Sequence, residues 1–242
     1  MRSIYALSVR QLMGKWRLLI LAGLAAVPPL MAVIATAGTN PPTPSQLDDA
    51  LLDGLLASAV LPIVVLAVAT AAFGNELEDK TLANLTLTPL KRWRIVLAKL
   101  AAALSIALPP LLVGTVGGVL IAFDRAGFGG AGRAALAAAL GIAIGALLYS
   151  TVFLWAGLVT THPLALGLLF VFVWEGLFSS FVNGIKYVSI RQYTLGLVKA
   201  LDPPRFADRH LVSTGAAAAG AALVLVGFFL LAVRRLGSMD IP

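Results

Sequence analysis

This sequence encodes an all-α membrane protein, a single bundle of about six transmembrane helices, and three of its properties say so. Of its 242 residues 60% are hydrophobic and only 12% are charged, with a mean hydropathy of +0.95; a soluble domain carries roughly 45–50% apolar and about 25% charged residues. Apolar runs recur along the whole chain, each near the roughly 20 residues that a helix needs to cross the hydrocarbon core at about 1.5 Å per residue. Charges gather between those runs. The absence of cysteine excludes disulfides, thiolate metal sites and cysteine nucleophiles, and two histidines leave little for an imidazole metal centre. A net charge of +7 suits basic span ends facing anionic lipid and gives no reason to expect nucleic acid as a partner.

Taken in order, residues 1–17 mix Arg2, Arg10, Lys15 and Arg17 with Ile4, Leu7, Leu12, Met13 and Trp16. That mixture predicts an amphipathic interfacial helix or, more plainly, a positive anchor for the first span. It does not read as a cleavable signal, because the basic part is long and no small-residue cleavage motif follows a short apolar core. Residues 18–37 form an uncharged first span, kinked where Pro28 and Pro29 remove backbone donors. A loop with three prolines, two aspartates and no basic residue leads to a second span at 51–73. The third span, 95–123, contains Pro109-Pro110, and Gly114 and Gly118 stand in the register that allows close helix approach. The fourth, 134–161, repeats that register with Gly141 and Gly145. A short turn through His162 makes the fifth span, 164–182, its antiparallel neighbour. A mixed excursion at 183–211 precedes the sixth span, 212–233.

Six spans place both termini on one side. With the termini inside, 11 of the 18 basic residues fall on the inner face, and the first outer loop has none. The sequence therefore predicts N-in and C-in.

Eight charged residues, Glu76, Glu78, Asp79, Lys80, Lys91, Arg92, Arg94 and Lys99, lie between the second and third spans or just inside the third. Such a polar island predicts a structured, water-facing surface. Acidic residues from Glu76 to Asp79 suit the first turn of a short helix, Leu82 and Leu85 supply apolar contacts, and Pro89 ends it. The plainer alternative is a solvated loop with interfacial anchors. Lys80-Thr81 superficially imitates the end of a phosphate-binding loop, but Asp79 replaces the glycine whose amide would cradle phosphate. The chain is not expected to be its own ATPase. Asn84-Leu85-Thr86 matches a glycosylation sequon by chance, since it lies on the expected inner side.

The run Glu-x-Glu-x-x-Thr-Leu, followed by Leu-Thr-Leu-Thr-Pro-Leu-Lys-Arg-Trp-Arg-Ile-Val-Leu-Ala-Lys, resembles the segment between the second and third spans of type-2 ABC exporter permeases. Glu78, Thr81-Leu82, Thr88-Pro89, Arg92, Val96 and Lys99 occupy corresponding places, while Lys80 stands where glycine is common. The resemblance implies that region 74–94 is a cytoplasmic coupling segment docking on a separate ABC ATP-binding subunit, through Glu76, Glu78, Asp79, Lys80, Thr81, Leu82, Leu85, Pro89 and Arg92. It further implies that ATP and Mg belong to that subunit, that this chain binds no cofactor, and that it resides in the cytoplasmic membrane. Pairing with a second permease, as a homodimer in preference to a heterodimer, follows from the same resemblance.

Glu175 is expected within the fifth span, where a charge costs about 2.5–3.5 kcal/mol on insertion scales, so it should face the interior with a partner such as Ser179, one turn on. A packing hydrogen bond and a transport contact both fit, and a Glu175→Gln variant distinguishes them. The excursion 183–211 alternates apolar and basic residues, which predicts short amphipathic outer helices or a plain surface loop. An apolar pathway suits amphipathic or lipid-like cargo. The rival readings are a secondary transporter driven by ion gradients, weakened by the lack of an internal repeat, and a non-transporting membrane anchor for an ATPase. A membrane-embedded enzyme finds no histidine cluster or carboxylate pair to support it.

Overall fold

The computed structural model describes residues 2–38, 43, 46, 60–78, 91–160, 162–173, 189–200 and 211–238, and among them every regular element is helical. Helix α1 covers Arg2–Leu12 and α2 covers Lys15–Thr36. The break between them falls at Met13-Gly14, so the basic N-terminus forms its own helix. Ile4, Ser8 and Leu12 are buried at helical spacing while Arg2 and Arg10 are exposed, and the Tyr5 hydroxyl donates to Ser105 Oγ at 2.9 Å.

Helix α3 runs Leu61–Glu78, α4 runs Arg92–Ala126, α5 runs Ala131–Val159 and α8 runs Thr214–Gly237. Between α5 and α8 lie α6, Pro163–Leu169, which continues in wider π-type turns to Val173, and α7, Ile190–Lys199. Four of these, α2, α4, α5 and α8, are long and apolar enough to cross a membrane, and α3 and α6 contribute shorter apolar helices. At 35 residues α4 is about 52 Å long, more than the roughly 30 Å of hydrocarbon, so its charged ends, Arg92 and Arg94 at one and Asp124 and Arg125 at the other, reach past the apolar layer.

Helix α5 is the centre. Of its most apolar stretch 67% is buried, against 22% for α2 and 11% for α8, which leaves broad faces of those two helices to lipid or to another subunit. Close approach depends on glycine. A Cβ on Gly157 would lie 2.9 Å from the Thr70 carbonyl oxygen of α3, and one on Gly118 would lie 2.9 Å from the carbonyl carbon of Pro28 in α2. Gly114 abuts the Ala25 carbonyl in the same way. Both expected small-residue registers are therefore packing faces: 114/118 receives α2, and 141/145 receives Val198, Thr194 and Leu61. Trp155 meets Phe228 of α8 edge to face at 5.2 Å.

End contacts fix the relative directions of neighbouring helices, and α5 and α8 run the same way. Arg235, in the last turn of α8, donates from Nε to the Leu158 carbonyl at the end of α5, at 3.4 Å. Gly74, near the end of α3, sits 3.5 Å (from an added Cβ) from Pro163 at the start of α6. The ends of α3, α5 and α8 and the starts of α4 and α6 thus share one end of the bundle.

Part of the 183–211 excursion is α7, capped where Ser189 Oγ accepts from the Gln192 N–H at 3.3 Å. Its apolar face does not lie on a surface. Ile190, Tyr193, Leu195 and Val198 are buried between α5 and α8, and Gly220 of α8 is in contact with the Tyr193 ring. Gly220→Val is expected to swing that ring out and unseat α7, costing about 1–3 kcal/mol. Faster tryptic cleavage after Lys199 in detergent, with a lower melting temperature, would register the loss.

Candidate functional site: the ion pair at the root of the polar segment

The polar segment leaves α3 and re-enters α4 at one end of the bundle, and the structure describes its two roots. Apolar residues from Leu61 onward propagate α3 without a breaker, so the helix continues through Glu76 to Glu78. This corrects the expectation that Glu76 opens a new helix. Glu76 and Glu78 instead occupy the last turn of α3, where the negative end of the helix dipole disfavours carboxylates. A cation is needed there.

Lys99 supplies it. Seven residues into α4, about 10 Å along the axis, its side chain is fully buried. Nζ forms a 2.7 Å ion pair with Glu76 Oε1, donates to the Ala72 carbonyl, and lies 4.6 Å from the centre of the Phe73 ring. All three partners belong to about one turn of α3. Glu76 is 4% exposed, and its second oxygen, Oε2, is buried without a hydrogen-bond partner among the described residues. Water cannot screen a pair enclosed in this way, so one geometry is strongly enforced.

Glu76 and Lys99 are therefore not part of a water-facing surface, as the grouping of charges had implied. Lys99 is also a second ionisable residue deep in a helix, beside the expected Glu175. Its signal was present: Ile95, Ala102, Ala103 and Ile106, at helical spacing from Lys99, are all buried, and a lysine on such a face demands an acid. Arg92 is the first residue of α4, half-buried, with Nη1 unpartnered among the described residues. Its neighbour Arg94 lies 5.3 Å from the Trp93 ring at the helix start. Of the other expected site residues, Glu78 closes α3, whereas Asp79, Lys80, Thr81, Leu82, Leu85 and Pro89 lie outside the described residues, as do Glu175 and Ser179.

A bundle of long apolar helices, with a buried ion pair joining two of them, defines a multi-pass membrane protein. The sequence model of the family described as "ABC-2 family transporter protein" matches residues 14–185, and the chain belongs to that family. It is thus a membrane component of the ABC transporter class and not itself the ATPase. No curated protein matches the chain.

Proposed function

We propose that this chain is the permease subunit of an ATP-driven exporter in the cytoplasmic membrane, with six spans and both termini inside. The part of segment 74–94 that follows the buried Glu76 docks on the ATP-binding subunit, which holds ATP and Mg, and two copies of the permease enclose the pathway between them. Membership of the ABC-2 family carries this reading, because the matched residues contain the whole polar segment. The buried pair supports it, since a segment that receives force needs firm roots. Nucleotide on another chain can bias the bundle only through contacts that differ between states, and the polar segment is the place where such contacts are available.

Amphipathic or lipid-like cargo fits the lining. Ala22, Ala25, Ala26, Pro29, Pro109 and Pro110 border an apolar cleft of about 590 Å³ between α2 and α4.

Glu78→Lys or Asp79→Lys is expected to leave the chain inserted but to cut permease-stimulated ATP hydrolysis by about tenfold, a typical size for coupling between sites. The measurement is ATPase activity of the co-expressed ATP-binding subunit in nanodiscs, with and without each permease variant. Full stimulation by both variants would count against docking through this segment.

A further inference from the structure

We infer that Glu76 and Lys99 are a positioning pair that keeps α3 and α4 together as one lever throughout the transport cycle. This rests on the exporter reading. The chain joins α3 to α4 only through the segment that follows Glu78, and the ion pair joins the two helices a second time, side chain to side chain. It lies inside the bundle, about 10 Å along α4 from its start, so it ties the helices below the point where a partner would push.

The geometry fixes orientation as well as distance. A single contact would act as a pivot, but Nζ touches Glu76 Oε1, the Ala72 carbonyl and the Phe73 ring around one turn of α3. Rotation of either helix about its own axis would break at least one of them. Each helix of the lever then bears on a different neighbour through a backbone contact. Thr70 of α3 meets Gly157 of α5, and Gly114 and Gly118 of α4 meet Ala25 and Pro28 of α2. One push is thereby delivered to both sides of the bundle. Stability alone is a poor explanation for the pair, because a buried ion pair is often matched or bettered by well-packed neutral residues.

That comparison supplies the test. The native chain lacks cysteine, so labels can be placed at will. The complex with the ATP-binding subunit, in nanodiscs, is compared for the native pair, Lys99→Arg, and the neutral double variant Glu76→Gln/Lys99→Met. The neutral variant is expected to assemble and melt close to the native protein, yet to lose about tenfold in stimulated ATP turnover with KM for ATP unchanged; Lys99→Arg should retain most of it. Spin labels at Ala71→Cys and Leu97→Cys report the α3–α4 separation, and labels at Leu97→Cys and Leu230→Cys report α4 against α8. With ATP, the first distance should stay constant in the native pair while the second changes, and the first should spread in the neutral variant. A native α3–α4 distance that changes with ATP, or full stimulation by the neutral variant, overturns the inference alone. If the ATP-binding subunit neither binds nor moves any label pair, the exporter reading falls and takes the inference with it.

Discussion

Lys99→Met, with Glu76 left in place, is expected to destabilise the folded bundle by about 3–5 kcal/mol, the range for stranding one member of a buried ion pair. The Glu76 carboxylate already has one oxygen without a partner, and this variant removes the partner of the other. Buried at 4% exposure, it reaches water only by rearrangement of the helices around it. The reverse variant, Glu76→Gln, should be milder. There the ammonium keeps the Ala72 carbonyl and the face of Phe73, so part of its solvation survives. The double variant Glu76→Gln/Lys99→Met should recover most of the loss, giving a coupling energy of the sign that a double-mutant cycle detects for residues in contact. Thermal unfolding in one detergent, followed for all four proteins, measures the cycle. Equal losses in the two single variants, added together in the double, would show that the pair has no mutual interaction.

Much of the bundle could be read from the chain because the determinants were local. Apolar runs of bilayer length gave α2, α4, α5 and α8, and the spacing of Gly114 with Gly118 and of Gly141 with Gly145 marked faces that the structure does use for close packing. Non-local pairing was less legible. Glu76 and Glu78 looked like a helix start because acids favour that position, whereas the apolar momentum of α3 and a lysine 23 residues further on made a helix end tolerable. Sequence showed that the stretch containing α7 was amphipathic but not what it would meet. The partner turned out to be the glycine face of α5 together with Gly220 of α8, so the apolar side faces inward instead of resting on a surface. Within the candidate site, charge density located the segment, and only packing distinguished the buried pair from the rest.

Gly114→Ala should be the most damaging single-methyl change in α4, at about 2–3 kcal/mol, near the top of the range for overpacking. The reason begins in α2. Pro29 has no N–H, so the Ala25 carbonyl four residues earlier loses its helical donor. That carbonyl oxygen turns to Gly114, whose Cα–H can donate a weak hydrogen bond where a Cβ would overlap it. An added methyl meets backbone, with the carbon and Cα of Ala25 at 2.9 and 3.1 Å, and backbone cannot rotate away as a side chain would. Relief requires α2 and α4 to separate, which also opens the Gly118–Pro28 contact and leaves the Ala25 carbonyl unsatisfied in an apolar layer. Gly117 is the control. It lies on the same helix three residues on, and a Cβ there has nothing within 4 Å, so Gly117→Ala should be neutral or stabilising by up to about 1 kcal/mol through helix propensity. Melting both variants beside the native protein decides the matter: if Gly117→Ala costs as much as Gly114→Ala, flexibility of the diproline region, and not close approach of two backbones, is what glycine provides.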